Sequence, residues 1–225
     1  MGRPHVVKFF ADAGAGVPAE VAEGFGGKVE SVLRDPRGWS KHGFSFVRAP
    51  APGEGVLRVH LEPAEVADRM CGGRGFSCWR PRAKDVVIHL GNWMGGSASR
   101  LPLERYRNYV ISHEVGHALG LAHQRCPKAE CARRGMAACP ASIMQQMTRG
   151  PEHVSPCEES DWPLDPDWVI DDPDRSPGRF NTPFRRRSSF AIFLVVLVVL
   201  AVLMAALYLA MPSGGTKIER MPKGL

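Results

Sequence analysis

Short β-rich apolar stretches and segments with apolar positions at helical spacing follow each other along the first half of the chain, and the contrast separates strands from helices. HVVKFFA (5–11) is rich in β-formers, and VPAEVAEGFGGKVESVLRD (17–35) then sets Val21, Phe25, Val29, Val32 and Leu33 at helical spacing. GFSFVRA (43–49) and GVLRVHLE (55–62) read as two short strands parted by the Pro/Gly turn PAPGEG, and DVVIHLGNW (85–93) as a third candidate. A longer helix is expected from about Leu103 to Leu119, with Tyr106, Tyr109, Val110 and His113 on related faces. Strands and helices mixed in this order predict an α+β domain.

The last quarter of the chain follows another rule. Phe190 to Met211 is 22 residues without a charge, apolar on every side, and about 33 Å long at the helical rise. A buried core helix would show a polar stripe, so this segment is expected to be a transmembrane helix contacting the lipid bilayer. The start of the chain lacks the apolar run of a secretory signal, which makes the expected arrangement a C-terminally anchored, single-pass membrane protein. The initial Met-Gly is a weak acylation signal, because position six is Val6. These readings divide the chain into a domain over 1–158, a Pro/acid-rich and then basic linker over 159–189, the span 190–211 and a short tail 212–225. The linker is read as an irregular wrap or stalk on which Trp162 and Trp168 have the chance to pack against the domain.

Composition limits the function classes. With 225 residues and 44% apolar content, the chain can build one globular catalytic unit with an appendage. Its net charge of +6 is uneven: eight carboxylates and no base lie between Glu158 and Asp174, and five arginines follow before the apolar run. That pattern flanks a membrane and gives no nucleic-acid face. The six cysteines, Cys71, Cys78, Cys126, Cys131, Cys139 and Cys157, allow three disulfides, reduced thiols or metal binding, and no CxxC pair is present. If Cys71 and Cys78 are bonded, CGGRGFSC closes a small loop.

The chemistry is concentrated in HEVGHALGLAH (113–123). On a helix, His113 and His117 lie one turn apart on one face and can address one cation, while Glu114 beside them reaches a water as general base. His123 would sit about 9 Å beyond His117 on a straight helix. A ligand role therefore requires the helix to end, and Gly120 supplies a residue that can take the left-handed conformation. Three neutral imidazoles leave a fourth position on one catalytic zinc ion. The five fixed positions would coincide by chance with a probability on the order of 10⁻⁵. His5, His42, His60, His89 and His153 form no such pattern and are expected at the surface or partly buried.

The stretch resembles the H-E-x-x-H-x-x-G-x-x-H signature of the metzincin zinc peptidases. That resemblance implies a methionine-containing turn beneath the metal, for which ASIMQQM (141–147) offers Met144, with Met147 as the alternative. It also implies a metzincin-like mixed β-sheet with a backing helix and an active-site helix. CGGRGFSC, YRNYVISHEVGHALG, RCP, IMQQMTRG and DWPLDPDW are further similar to secreted actinobacterial metzincin-like domains of unknown function, over roughly residues 55–165. This second resemblance implies the pairs Cys71 with Cys78 and Cys126 with Cys157, leaving Cys131 and Cys139 for a third pair in the loop KAECARRGMAAC.

The expected function is a membrane-anchored zinc endopeptidase acting on a protein or peptide substrate, with Glu114 as general base. An extended substrate is expected to add to an edge strand near VVIHLGNW. The alternative is a structural or adhesion module of a cell or virion membrane that keeps the zinc fold without turnover. Hydrolysis of something other than a peptide is a weaker third reading. Disulfides suit an oxidising compartment, whereas five arginines before the span and three basic residues after it favour a cytosolic domain. The sequence leaves the side of the membrane open.

Overall fold

The computed structural model describes residues 4–73 and 75–165. The expected span 190–211, the tail and the linker from 166 onward lie outside the described residues, and among the described residues no helix is long and apolar enough to cross a membrane.

Five strands form one sheet in the order β2-β1-β3-β5-β4. They are β1 (His5–Ala13), β2 (Phe44–Arg48), β3 (Val56–Glu62), β4 (Cys78–Arg80) and β5 (Asp85–His89). Pairing is parallel throughout except for β4, which runs antiparallel to β5 at the sheet edge. A parallel pair needs a crossover connection, and α1 (Ala19–Arg34) provides it between β1 and β2. The period-two alternation of β3 sends Leu57, Val59 and Leu61 into the apolar core, where Val86 and Ile88 of β5 and Phe25, Val29 and Leu33 of α1 join them. On the other face, Arg58 donates from Nε and Nη2 to the two carboxylate oxygens of Asp12, and His60 lies between Glu62 and Asp85.

The third helix, α3 (Leu103–Ala118), backs the sheet with ten buried residues, from Tyr106 through Ala118. The smaller α2 (Ala64–Cys71) and α4 (Lys128–Arg133), together with the three-residue β4, are elements too short to leave a period in the sequence. One expectation needs correcting. The strand at 85–89 lies between β3 and β4, which pairs with its residues 85–87, so the edge strand on that side of the sheet is β4. Beyond 89 the chain leaves the sheet and coils tightly over Asn92–Gly96.

Residues 159–165, the described start of the segment read as a linker, lie against the domain. Asp161 is buried and accepts hydrogen bonds from Arg105 and Asn108, Trp162 stacks under Arg37 and touches the core, and Lys41 pairs with Asp165.

Candidate metal centre and active-site cleft

The site begins with the way α3 ends. Gly120 has φ 98°, a left-handed conformation that costs a residue without Cβ little. Leu121 N–H donates to Gly116 O and Gly120 N–H donates to His117 O, each at 3.0 Å, which is the paired closure of a Schellman motif. The reversal brings the Leu121 carbonyl back over the helix, where it accepts a 2.8 Å hydrogen bond from His117 Nδ1. It also lets His123 return to the face it would have left on a straight helix. His117 Nε2 and His123 Nε2 lie 3.2 Å apart, and the available ring nitrogens of His113, His117 and His123 are all within 4.8 Å of one another.

A second segment fixes the first imidazole. The Ile143 carbonyl accepts a 2.7 Å hydrogen bond from His113 Nδ1, and because a carbonyl can only accept, this selects the tautomer with its lone pair on Nε2. The next residue, Met144, is fully buried, with its sulfur against Gly116 between the two helical histidines. Its carbonyl accepts from Gln124 N–H, just past His123. Met147, the alternative methionine, instead packs near Tyr109, whose hydroxyl accepts from the Met147 amide and donates to Gln145 O. Met144 is therefore the methionine placed beside the histidines.

This donor set fits a tetrahedral zinc ion. Ligands about 2.0–2.1 Å from a tetrahedral centre are about 3.3 Å from each other, close to the 3.2 Å of the His117–His123 pair. Both Nδ1 atoms that have carbonyl partners leave their Nε2 lone pairs directed at the shared space, the outer-shell arrangement usual for histidine ligands. Burial pulls His113 well below the ordinary imidazole range, with His117 adding to the effect, and lowers His117. His123 is brought to about 4 by burial, then by His117 and Arg149. Neutral imidazoles are the form a metal requires.

Glu114 points the other way around α3, into the same cleft. Burial raises its carboxyl to about 8, against the lowering effect of a hydrogen bond accepted from the Trp79 backbone amide. That amide belongs to edge strand β4, so the candidate base sits at the rim where an extended chain would lie. The cleft has a volume of about 430 Å³ and is lined by the three histidines, Glu114, Tyr109 and the Phe76–Trp79 segment.

The three disulfides are Cys71–Cys78, Cys126–Cys157 and Cys131–Cys139. The first ties the end of α2 to β4 on the cleft wall, and the second closes the chain segment that carries Met144. Of the other histidines, His60 and His89 are fully buried, deeper than their lack of pattern suggested, because β3 and β5 each turn them toward carboxylates: Glu62 and Asp85 for His60, Asp68 for His89. Sequence reasoning missed Gly116 and Trp39. A methyl carbon on Gly116 would lie 2.5 Å from Met144 Sδ and 2.8 Å from Trp39 Cζ2, so this mid-helix glycine makes the room that the buried methionine fills. Trp39 is held by its indole N–H on Ser112 O at 3.0 Å. A glycine in the middle of an apolar helix was the available signal for Gly116, and nothing in the sequence marks Trp39.

No curated protein and no solved structure matches the chain. A family profile does match, over residues 5–183, which includes the whole sheet, α3, the three histidines and all six cysteines. The chain therefore belongs to the family described as Protein of unknown function (DUF3152).

Proposed function

We propose that the protein is a zinc-dependent endopeptidase of the metzincin type, anchored to a membrane by the apolar segment 190–211. The observation that carries this reading is the convergence of three imidazoles, two with Nδ1 committed to carbonyls, in the cleft that also holds Glu114. His113, His117 and His123 would hold the ion, and Met144 would underlie it. Bound there, zinc supplies Lewis acidity to a scissile carbonyl and lowers the pKa of water.

The chain's own residues account for the remaining steps. Edge strand β4 offers backbone hydrogen bonds to an extended peptide, and the Cys71–Cys78 bridge keeps that strand in place. Glu114 would take a proton from water on a carboxylate oxygen as the water oxygen bonds to the scissile carbonyl carbon, and would pass that proton to the nitrogen that leaves as the amine when the C–N bond breaks. The Trp79 amide donates to the Glu114 carboxyl and holds it in place for both transfers. Buried Tyr109, whose hydroxyl both donates and accepts, holds the Gln145–Met147 floor and packs against His113 with ring centroids 5.2 Å apart and the rings tilted.

The test is zinc analysis and peptide cleavage by the parent protein and by Glu114→Gln, under reducing and non-reducing conditions. The variant is expected to stay folded and zinc-loaded while cleavage falls by about 10²–10⁴, the usual contribution of a positioned base. A parent protein that binds zinc and cuts no member of a broad peptide library would favour the non-catalytic module instead.

A further inference from the structure

Among the described residues, half-buried cations come with a carboxylate. Lys28 and Arg107 pair with Glu104, Lys41 with Asp165, Arg58 with Asp12 and Arg80 with Asp85. Arg149 is the exception: it is half-buried, its guanidinium lies over the Phe76 ring at 5.3 Å, and no carboxylate among the described residues pairs with it. Withdrawing a guanidinium partly from water without a counter-charge is unfavourable, and a bidentate carboxylate is the partner its planar fork suits best.

Its position says where that carboxylate would come from. Arg149, Thr148 and Phe76 line both the cleft with the three histidines and an adjoining side cavity of about 450 Å³. Among the described residues, no acid lines the side cavity, and Glu114 is the one acid lining the cleft. On the other flank, beyond His123, a third cavity is lined by Arg125 and Lys128, and by no acid among the described residues. Both of those side chains are exposed and have no ion-pair partner among the described residues. Glu152 is mostly exposed, packs its carboxylate against Gly150 and 3.7 Å from His153 Nε2, and lines none of the three cavities. The described side chains that line these three cavities thus carry positive charge and, Glu114 apart, no carboxylate, with a half-buried guanidinium shared by the cleft and the side cavity.

We propose that the peptide taken by this cleft carries an acidic side chain next to the bond presented to Glu114, and that Arg149 binds its carboxylate in the side cavity. The proposal rests on the peptidase reading and adds its substrate class. Arg149 is then a specificity-determining residue, while Arg125 and Lys128 favour further acidic residues on the opposite flank.

The experiment uses the full chain in detergent, zinc-loaded and with Glu114→Gln to prevent turnover. Acetylated and amidated octapeptides, free of terminal charges, carry Glu or Gln at each position in turn. At one position the Glu peptide is expected to bind about tenfold to a hundredfold tighter than its Gln twin, as a charge-assisted hydrogen bond gives. Adding Arg149→Met, which keeps the packing on Phe76, should bring that ratio close to one with zinc content unchanged, and Arg149→Lys should give an intermediate ratio. Equal or undetectable binding of the Glu and Gln peptides, or a ratio that survives Arg149→Met, overturns the proposal. The two readings fail separately. Cleavage by the parent protein without acidic preference overturns this one alone, whereas an Arg149-dependent binding ratio in a protein that cuts nothing overturns only the peptidase.

Discussion

Replacing Gly116 by alanine sets two physical effects against each other. In an ordinary mid-helix position the change stabilises by about 0.8–1 kcal/mol, because alanine is the better helix former. Here the new carbon would stand 2.5 Å from Met144 Sδ and 2.8 Å from Trp39 Cζ2, inside van der Waals contact with both. Neither neighbour gives easily: Met144 is fully buried and Trp39 is pinned by its bond to Ser112 O. Overpacking of a tight core costs about 1–3 kcal/mol, and two simultaneous clashes belong in the upper half of that range. The expected net loss is about 1–2 kcal/mol, or roughly 2–8 °C in melting temperature for a domain of this size. Thermal unfolding of the zinc-free protein measures it, and zinc titration reads the consequence, since displaced Met144 carries the neighbouring Ile143 carbonyl that orients His113. The double variant with Met144→Ala should recover part of the loss, because the two changes share one space. A Gly116→Ala protein stabilised by about 1 kcal/mol, with unaltered zinc affinity, would refute the packing argument.

Three further outcomes are expected. His123→Ala should weaken zinc binding by more than about a hundredfold, exceeding the cost of losing an outer hydrogen-bond partner, as read by competition with a chelating dye; full occupancy in that variant would contradict the three-histidine site. Opening Cys126–Cys157, whose partners are 31 residues apart, should cost about 3–4 kcal/mol in the chain-entropy account, measured by denaturant unfolding of the double serine variant against the parent protein. A fragment ending at residue 158 should be less stable than one ending at 165 by about 3–5 kcal/mol, because it loses the carboxylate that binds Arg105 and Asn108 and the Trp162 contact with the core; equal melting temperatures would show that the segment contributes nothing.

Legibility along the sequence follows element length. The strands at His5–Ala13, Phe44–Arg48 and Val56–Glu62 and the helices at Ala19–Arg34 and Leu103–Ala118 repeat their pattern often enough to be read directly. Strand β4 has three residues, less than two periods, and so leaves no trace, and its absence from the reading made its neighbour look like the edge. Buried on both faces, β5 reads as a continuous apolar run, which says that a strand exists but not what lies on either side of it. The parallel order of the sheet likewise depends on crossovers that no local pattern records.

The candidate site divides along a similar line. The histidine spacing is local: four residues fix one helical turn and Gly120 fixes the reversal, so the histidines, the glutamate and the helix end were all readable within 113–123. What supports them comes from far along the chain. Trp39 reaches Ser112 across 73 positions, Ile143 orients His113 across 30, and Tyr109 holds Gln145 across 36. Such contacts follow from the sheet bringing distant segments together, and no window of sequence contains both partners. Arg149 is further removed still, since its role depends on a carboxylate that is missing from its surroundings. In sequence it is one arginine in a basic chain, and only the paired state of Lys28, Lys41, Arg58, Arg80 and Arg107 makes its unpaired state informative. Ligands at a metal are constrained by each other and so leave a motif, whereas residues that select a substrate are constrained by a molecule outside the chain.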